Sequence, residues 1–235
     1  MKYFMKKKNC RFAFIQKIIV MKIALQAFLW ILCLFFSYQI YNSINGPISF
    51  NETRNERYTK VIDRLKIIRK AQIAHKDVNG IYSNNFDSLI KFIDEGIFTI
   101  IEKRDSSYLE YDRTYRIDML KEVVIVDTLG FVNVKDSLFG NNNDYLNMAK
   151  IPVDGVEAKF SIKADVIDKN GYNVPVFEVK VAKNIILFDQ DTDLLKQENE
   201  TISVDGVNGS AIILGSMTNV SVNGNWPTIF DARKE

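Results

Sequence analysis

Hydrophobic and polar positions along the chain fall into three regimes. Residues 23 to 40, IALQAFLWILCLFFSYQI, form an apolar run without a charged side chain, in which only Gln26, Ser37 and Gln39 are clearly polar. As a helix at ~1.5 Å per residue these eighteen positions reach ~27 Å, close to the ~30 Å hydrocarbon core of a bilayer. A helix also satisfies its own backbone donors and acceptors without water, which suits lipid. The run predicts a transmembrane helix over residues 23–44. Asn45-Gly46-Pro47-Ile48-Ser49-Phe50 should then break it, because proline removes a donor and restricts the residue before it; residues 45–50 are expected to be a hinge.

From about Asn51 to Lys76 the period becomes helical. Tyr58, Val61, Ile62, Leu65, Ile68, Ala71 and His75 recur at three- and four-residue steps, with Arg, Lys and Glu on the other side. Asn79-Gly80 supplies a stop. A second helix is predicted over about Asn85 to Glu95, with Phe86, Leu89, Ile90 and Ile93 on one side, Ser83 or Asn84 as cap and Gly96 as its end.

After residue 105 the period shortens to two. Leu109, Tyr111, Tyr115 and Ile117 share a parity and fit one strand; Glu122 to Asp127 and Phe131 to Val134 fit two more, and residues 141–144 form a polar loop. The clearest hairpin has Phe160, Ile162, Ala164 and Val166 alternating with mostly polar residues, Asp168-Lys169-Asn170-Gly171 turning, and Val174 to Ala182 returning. Ile185 to Phe188, Thr201 to Val204, Ala211 to Leu214 and Val220 to Val222 are further short strands. The expected outer region is α+β: a helical segment over residues 51–104, then an antiparallel β-rich segment over residues 105–235.

Charge gives this plan a direction. Residues 1–22, the basic tail, hold seven Lys and Arg and no acid; taking those seven from 31 leaves 24 bases against 29 acids, a formal −5 downstream. No Lys or Arg lies between Tyr41 and Thr53. By the positive-inside rule the tail is cytoplasmic and the C-terminal domain extracytoplasmic. The run is too long for a signal-peptide core, and residues 41–45 offer no small-residue cleavage site, so the anchor is expected to be retained. Met21-Lys22 is an alternative start, and Leu32 before Cys33 argues against a lipoprotein. The acidic outer region lacks the basic field that a nucleic acid would need. Lys, Asn and Ile usage fits an AT-rich bacterial genome, which would make the outer compartment the periplasm and the membrane the inner one.

Candidate chemistry is sparse. With 47% apolar and 26% charged residues the chain is neither disordered nor low in complexity. Cys10 and Cys33 both precede the outer region, which therefore holds no disulfide, no cysteine-based zinc site and no cysteine nucleophile. His75, the single histidine, sits on the apolar side of the predicted long helix and reads as packing. Asp189, Asp191, Asp193 and Glu200 stand at positions 1, 3, 5 and 12 of a calcium-loop spacing, but Leu194 replaces the glycine at position 6, so an exposed acidic turn is the better reading. No cofactor is expected beyond that calcium alternative. Tyr108, Tyr111 and Tyr115, with Trp226 beside Pro227, are candidates for an interaction surface. Among 29 acids no spacing singles out a catalytic pair, and no Gly-rich phosphate loop is present.

Leu65 to His75, then Asn79-Gly80-Ile81-Tyr82, then Phe86-Asp87-Ser88-Leu89 together resemble type IV pilins and type II secretion pseudopilins. The resemblance spans about residues 55–95. It implies an N-terminal membrane helix, a helix ending at Asn-Gly-x-Tyr, a short Asp-x-Leu helix and an antiparallel sheet. The processing site of those families, Gly before Phe with a Glu five residues on, has no counterpart here. The expectation is a single-pass, non-enzymatic envelope protein whose outer domain associates with a protein partner or with itself. A sensor or ligand-binding module and a carboxylate-dependent hydrolase are the alternatives.

Overall fold

The computed structural model describes the backbone of residues 2–231 and the side chains of residues 21–23 and 25–231. It is α+β, with a long N-terminal helix followed by antiparallel sheets. The chain divides into two compact units, residues 1–53 and 54–235.

The first unit is helical throughout its described length. Helix α1 runs Lys2–Asn79 and contains Pro47, so the expected break at residues 45–50 does not occur. Proline removes one donor from the ladder, but its φ already suits a helix. With turns formed on both sides the helix continues through it, at a local cost of ~3 kcal/mol. Between residues 23 and 40 every described side chain is exposed, including Phe28, Trp30, Leu34 and Phe36. By length and composition this is a helix able to cross a membrane.

The second unit starts on the last part of α1. The predicted stripe is its core face: Tyr58, Val61, Ile62, Leu65, Ile68, Ala71 and Ala74 are buried, joined by Gln72 and His75. Gly80, at φ 77°, ends the helix, and its N–H donates to the Lys76 carbonyl at 2.7 Å. Gln72 holds the turn that follows through two buried hydrogen bonds with the Ser83 backbone, at 2.7 and 2.9 Å. Helix α2, Phe86–Glu95, is capped by Asn85 and not by Ser83 or Asn84. The Asn85 side chain accepts from the Asp87 N–H, the bond that an N-cap supplies.

Strands β3 (Ser161–Lys169), β4 (Tyr172–Ala182) and β5 (Ala211–Gly215) form an antiparallel sheet in the order β3-β4-β5. Asn170 and Gly171, both at positive φ, turn the first hairpin as predicted. Central β4 buries Val176, Phe177, Val179 and Val181, and β5 adds Ile212 and Leu214. The rings of Tyr82 and Phe177 meet at 4.5 Å.

Several predicted strands have another form. Residues 185–188 overlap a helical turn, α4 (Lys183–Ile186), while residues 201–204 and 220–222 are loops. Helix α5, Thr192–Asn199, occupies the segment read as an acidic turn. The three pieces expected between 109 and 134 are one long ribbon: β1 (Ile97–Asp112) pairs antiparallel with β2 (Ile117–Asn133), and α3 (Val134–Leu138) follows. Tyr115 lies in its turn and not in a strand.

Candidate interaction surface

The ribbon β1–β2 is the feature that core packing does not explain. Its strands have 16 and 17 residues, which at ~3.3 Å per residue gives ~50 Å of paired backbone, and no residue in either strand is buried. Its base is tied to the body: the Val134 N–H donates to the Gly96 carbonyl at 3.0 Å, and Val134 itself is fully buried. A β-bulge lies between Ile100 and Ile101, where Leu129 has no partner; beyond it the register runs unbroken to Asp112↔Ile117. At the far end Asp112 accepts from the N–H groups of Thr114 and Tyr115, at 2.7 and 3.2 Å, and Arg116 turns at φ 57°.

Alternation assigns two faces to the regular part. One carries Ile101, Leu109, Tyr111, Leu120, Val124 and Val126; Leu109 and Leu120 face each other and are 67% and 65% exposed. The opposite face carries Tyr108, Ile117, Met119, Val123 and Ile125 among the acids Glu102, Glu110, Asp112 and Asp127 and the bases Arg104 and Lys121. There Lys121 pairs with Glu110 at 2.6 Å, and Arg104 pairs with Asp127. Two-stranded hairpins are marginal in water, and long exposed apolar strands invite further pairing. The ribbon is therefore a surface suited to being covered.

Of the predicted surface residues, the three tyrosines share the outer part of the ribbon, with Tyr108 and Tyr111 on opposite faces and Tyr115 in the turn. Trp226 does not join them. It is 6% exposed, its ring lies under the Arg69 guanidinium at 5.3 Å, and its Nε1–H donates to Asp231 at 3.2 Å. Aromatic spacing cannot separate a wall of the core from an outward-facing ring, and here it grouped both. The apolar β2 run Val123-Val124-Ile125-Val126 was the missed signal, since four β-branched residues without alternation fit a strand with both faces available.

The four acids of the calcium spacing do not converge. Asp189 takes a two-pronged ion pair from Arg57 at 2.6 and 2.8 Å, whose guanidinium also donates to the Ile186 carbonyl. That bond holds the Asp189 carboxyl well below the usual carboxylate range. Asp191 caps α5, accepting from the N–H groups of Asp193 and Leu194. Asp193 pairs with Lys196 one turn on, and Glu200 stands at the C-terminal end of α5. Among the described residues no three His, Cys, Asp or Glu side chains gather to hold a metal ion. The alternating acids follow helix-end chemistry.

Two polar residues are buried with their partners. His75 Nδ1 lies 2.7 Å from the Ile81 carbonyl, which can only accept, so Nδ1 carries the proton; Phe92 packs edge-on against the ring. Lys183, fully buried, spends its three donors on the carbonyls of Glu198 (2.7 Å) and Val207 (2.8 Å) and on Glu198 Oε1 (3.0 Å). Tyr58 and Arg54 donate to the same carboxylate. Burial pushes the Lys183 ammonium down from its usual range, with Glu198 opposing, and pushes the Tyr58 phenol far up. Through these bonds the cluster clamps α1, α4 and α5 together.

Comparison with family models, with curated proteins and with solved structures returns no match.

Proposed function

We propose that this is a single-pass membrane protein whose outer domain serves, without enzymatic activity, as a structural or assembly subunit of a cell envelope. The carrying observation is the ribbon β1–β2, with both faces and both edges open over the length of two long strands. Burying a Val, Leu or Ile side chain yields roughly 1.5–3 kcal/mol, so covering one face of the ribbon gives a protein partner ample binding energy. Residues 23–40 anchor the chain in the inner membrane, with the basic tail in the cytoplasm and the ribbon in the periplasm. A helix-first, sheet-second outer domain on such an anchor suits the pilin-like reading, as a fixed relative lacking the processing site.

The test uses the full chain. After alkaline washing the protein should stay with the membranes. Extracted in mild detergent, it should run as a particle larger than one chain, whereas a variant with residues 102–127 replaced by a two-residue turn should run as a single chain. A freely soluble protein, or identical particles with and without the ribbon, refutes the proposal.

A further inference from the structure

The two edges of the ribbon are unlike. Along β1 the middle of the strand reads Glu102-Lys103-Arg104-Asp105, four consecutive charges of the kind that guard an edge against pairing. Along β2 it reads Val123-Val124-Ile125-Val126, all substantially exposed, with Lys121-Glu122 before it and Asp127 after it. The β2 edge is therefore the open one, and the Leu129 bulge sets its limit toward the base.

The geometry points to a second copy of this chain as the occupant, pairing β2 against β2 antiparallel about a two-fold axis at Val124. This rests on the reading of the ribbon as an association element and names its partner. Antiparallel pairing of identical strands keeps the sum of partner numbers constant. With Val124 opposite Val124, Val123 meets Ile125 twice, Leu120 meets Thr128 twice, Lys121 meets Asp127 twice, and Glu122 meets Val126 twice, the one charge set against an apolar side chain. Opposite charges lie across from each other at both ends, and no like charges do. Neighbouring registers lose this match. Centring on Val123 sets Met119 against Asp127 and Lys121 against Ile125; centring on Ile125 sets Val123 against Asp127; centring on Glu122 sets that acid against itself. In the favoured register Lys121 is already bonded to Glu110, and Asp127 to Arg104, within each ribbon. The join completes an alternating row of Arg104, Asp127, the partner's Lys121 and the partner's Glu110 on one face of a four-stranded sheet. Val124, Val126, Leu120 and Leu109 of both copies lie on the other face, with Lys103, Asp105 and Glu122 among them. The interface is isologous, so it closes as a dimer and covers the β2 edge of each copy at once, leaving the charge-guarded β1 edges outermost.

Oxidative cross-linking in membranes tests this, using full-length protein with Cys10→Ser and Cys33→Ser. Directly opposed Cα atoms lie ~4.5–5.5 Å apart, within disulfide reach, so Val124→Cys should link to itself. Val123→Cys and Ile125→Cys, offset by two residues from their own copies, lie ~8 Å away and should link at least tenfold less. Co-expressed Lys121→Cys and Asp127→Cys chains should link to each other and not to themselves. These positions are exposed, so the substitutions leave the core intact. Equal linking at all positions, or a maximum elsewhere, overturns the register. No linking while the larger detergent particle persists, and is still lost on ribbon removal, overturns the second copy and leaves the association reading standing. A single-chain particle throughout overturns both.

Discussion

Glu198→Ala measures what holds the buried cation. Lys183 is fully enclosed and has three partners, of which Glu198 Oε1 is the only charged one. Truncation leaves the ammonium with two backbone carbonyls, removes the acceptor of the Tyr58 hydroxyl and frees Arg54, which is exposed enough to find water. Breaking a buried pair by deleting one member costs roughly 3–5 kcal/mol. An independent ceiling comes from the alternative of releasing the proton. Bringing a lysine from an ordinary value of ~10.4 to neutrality at pH 7 costs ~4.6 kcal/mol, at ~1.36 kcal/mol per unit, so the loss cannot much exceed that figure. The two routes agree at roughly 3–4.5 kcal/mol. They also fix the sign of the pH dependence. If the folded variant holds Lys183 neutral, its unfolded state binds one more proton between the lowered folded value and ~10.4. Stability then rises with pH by ~1.4 kcal/mol per unit across that window, and the extra gain stops above it. Urea unfolding of the full chain in detergent, followed by Trp226 fluorescence with Trp30→Phe, gives the numbers at pH 7 and pH 9. A loss under about 1 kcal/mol refutes the assignment of a charged lysine sustained by Glu198, and a larger loss that does not shrink between those pH values refutes the neutral lysine in the variant.

Asp189→Asn removes a carboxylate that Arg57 holds ionised. A depressed folded value contributes stability above the ordinary carboxylate range and loses it as pH falls, so the wild type should lose stability below about pH 4 more steeply than the variant in an acid titration by circular dichroism. Gly215→Ala and Gly80→Ala separate strain from collision. Both glycines have φ near 78°, but a Cβ at 215 would lie 2.3 Å from the Phe177 carbonyl oxygen, whereas nothing lies within 4 Å at 80. In the same urea assay the first should cost several kcal/mol and the second about 1 kcal/mol.

Where one face of an element is buried, its pattern was readable. The stripe from Tyr58 to His75 repeats at the helical period because one side meets the core, and β3 alternates with Ile162 and Ala164 half-buried between exposed neighbours. The ribbon was cut into pieces for the opposite reason. With neither face buried, no constraint enforces alternation, and Val123 to Val126 sit in sequence as a run. Helix α5 escaped because Glu198 is its one buried residue, so it has no apolar stripe to show. Its pairing with Lys183 leaves no local trace at all, since fifteen residues separate the partners. Asp191 shows how one spacing serves two chemistries: an acid followed two residues later by another suits a cation loop, and equally suits an N-cap with a second acid in the first turn.

The two ways of being apolar in this chain differ in what they ask of their surroundings. Residues 23–40 expose apolar side chains on every side of a helix whose backbone is internally satisfied, so a lipid phase meets the whole requirement. The ribbon exposes apolar side chains together with two edges of unpaired peptide groups and a set of charges. Lipid would leave those edges unsatisfied, and a helix or loop from another protein would satisfy them in part. Only another strand supplies hydrogen-bond partners along an edge while burying the valines beside it. On the proposed reading, the helix takes a membrane as its solvent and the ribbon takes protein.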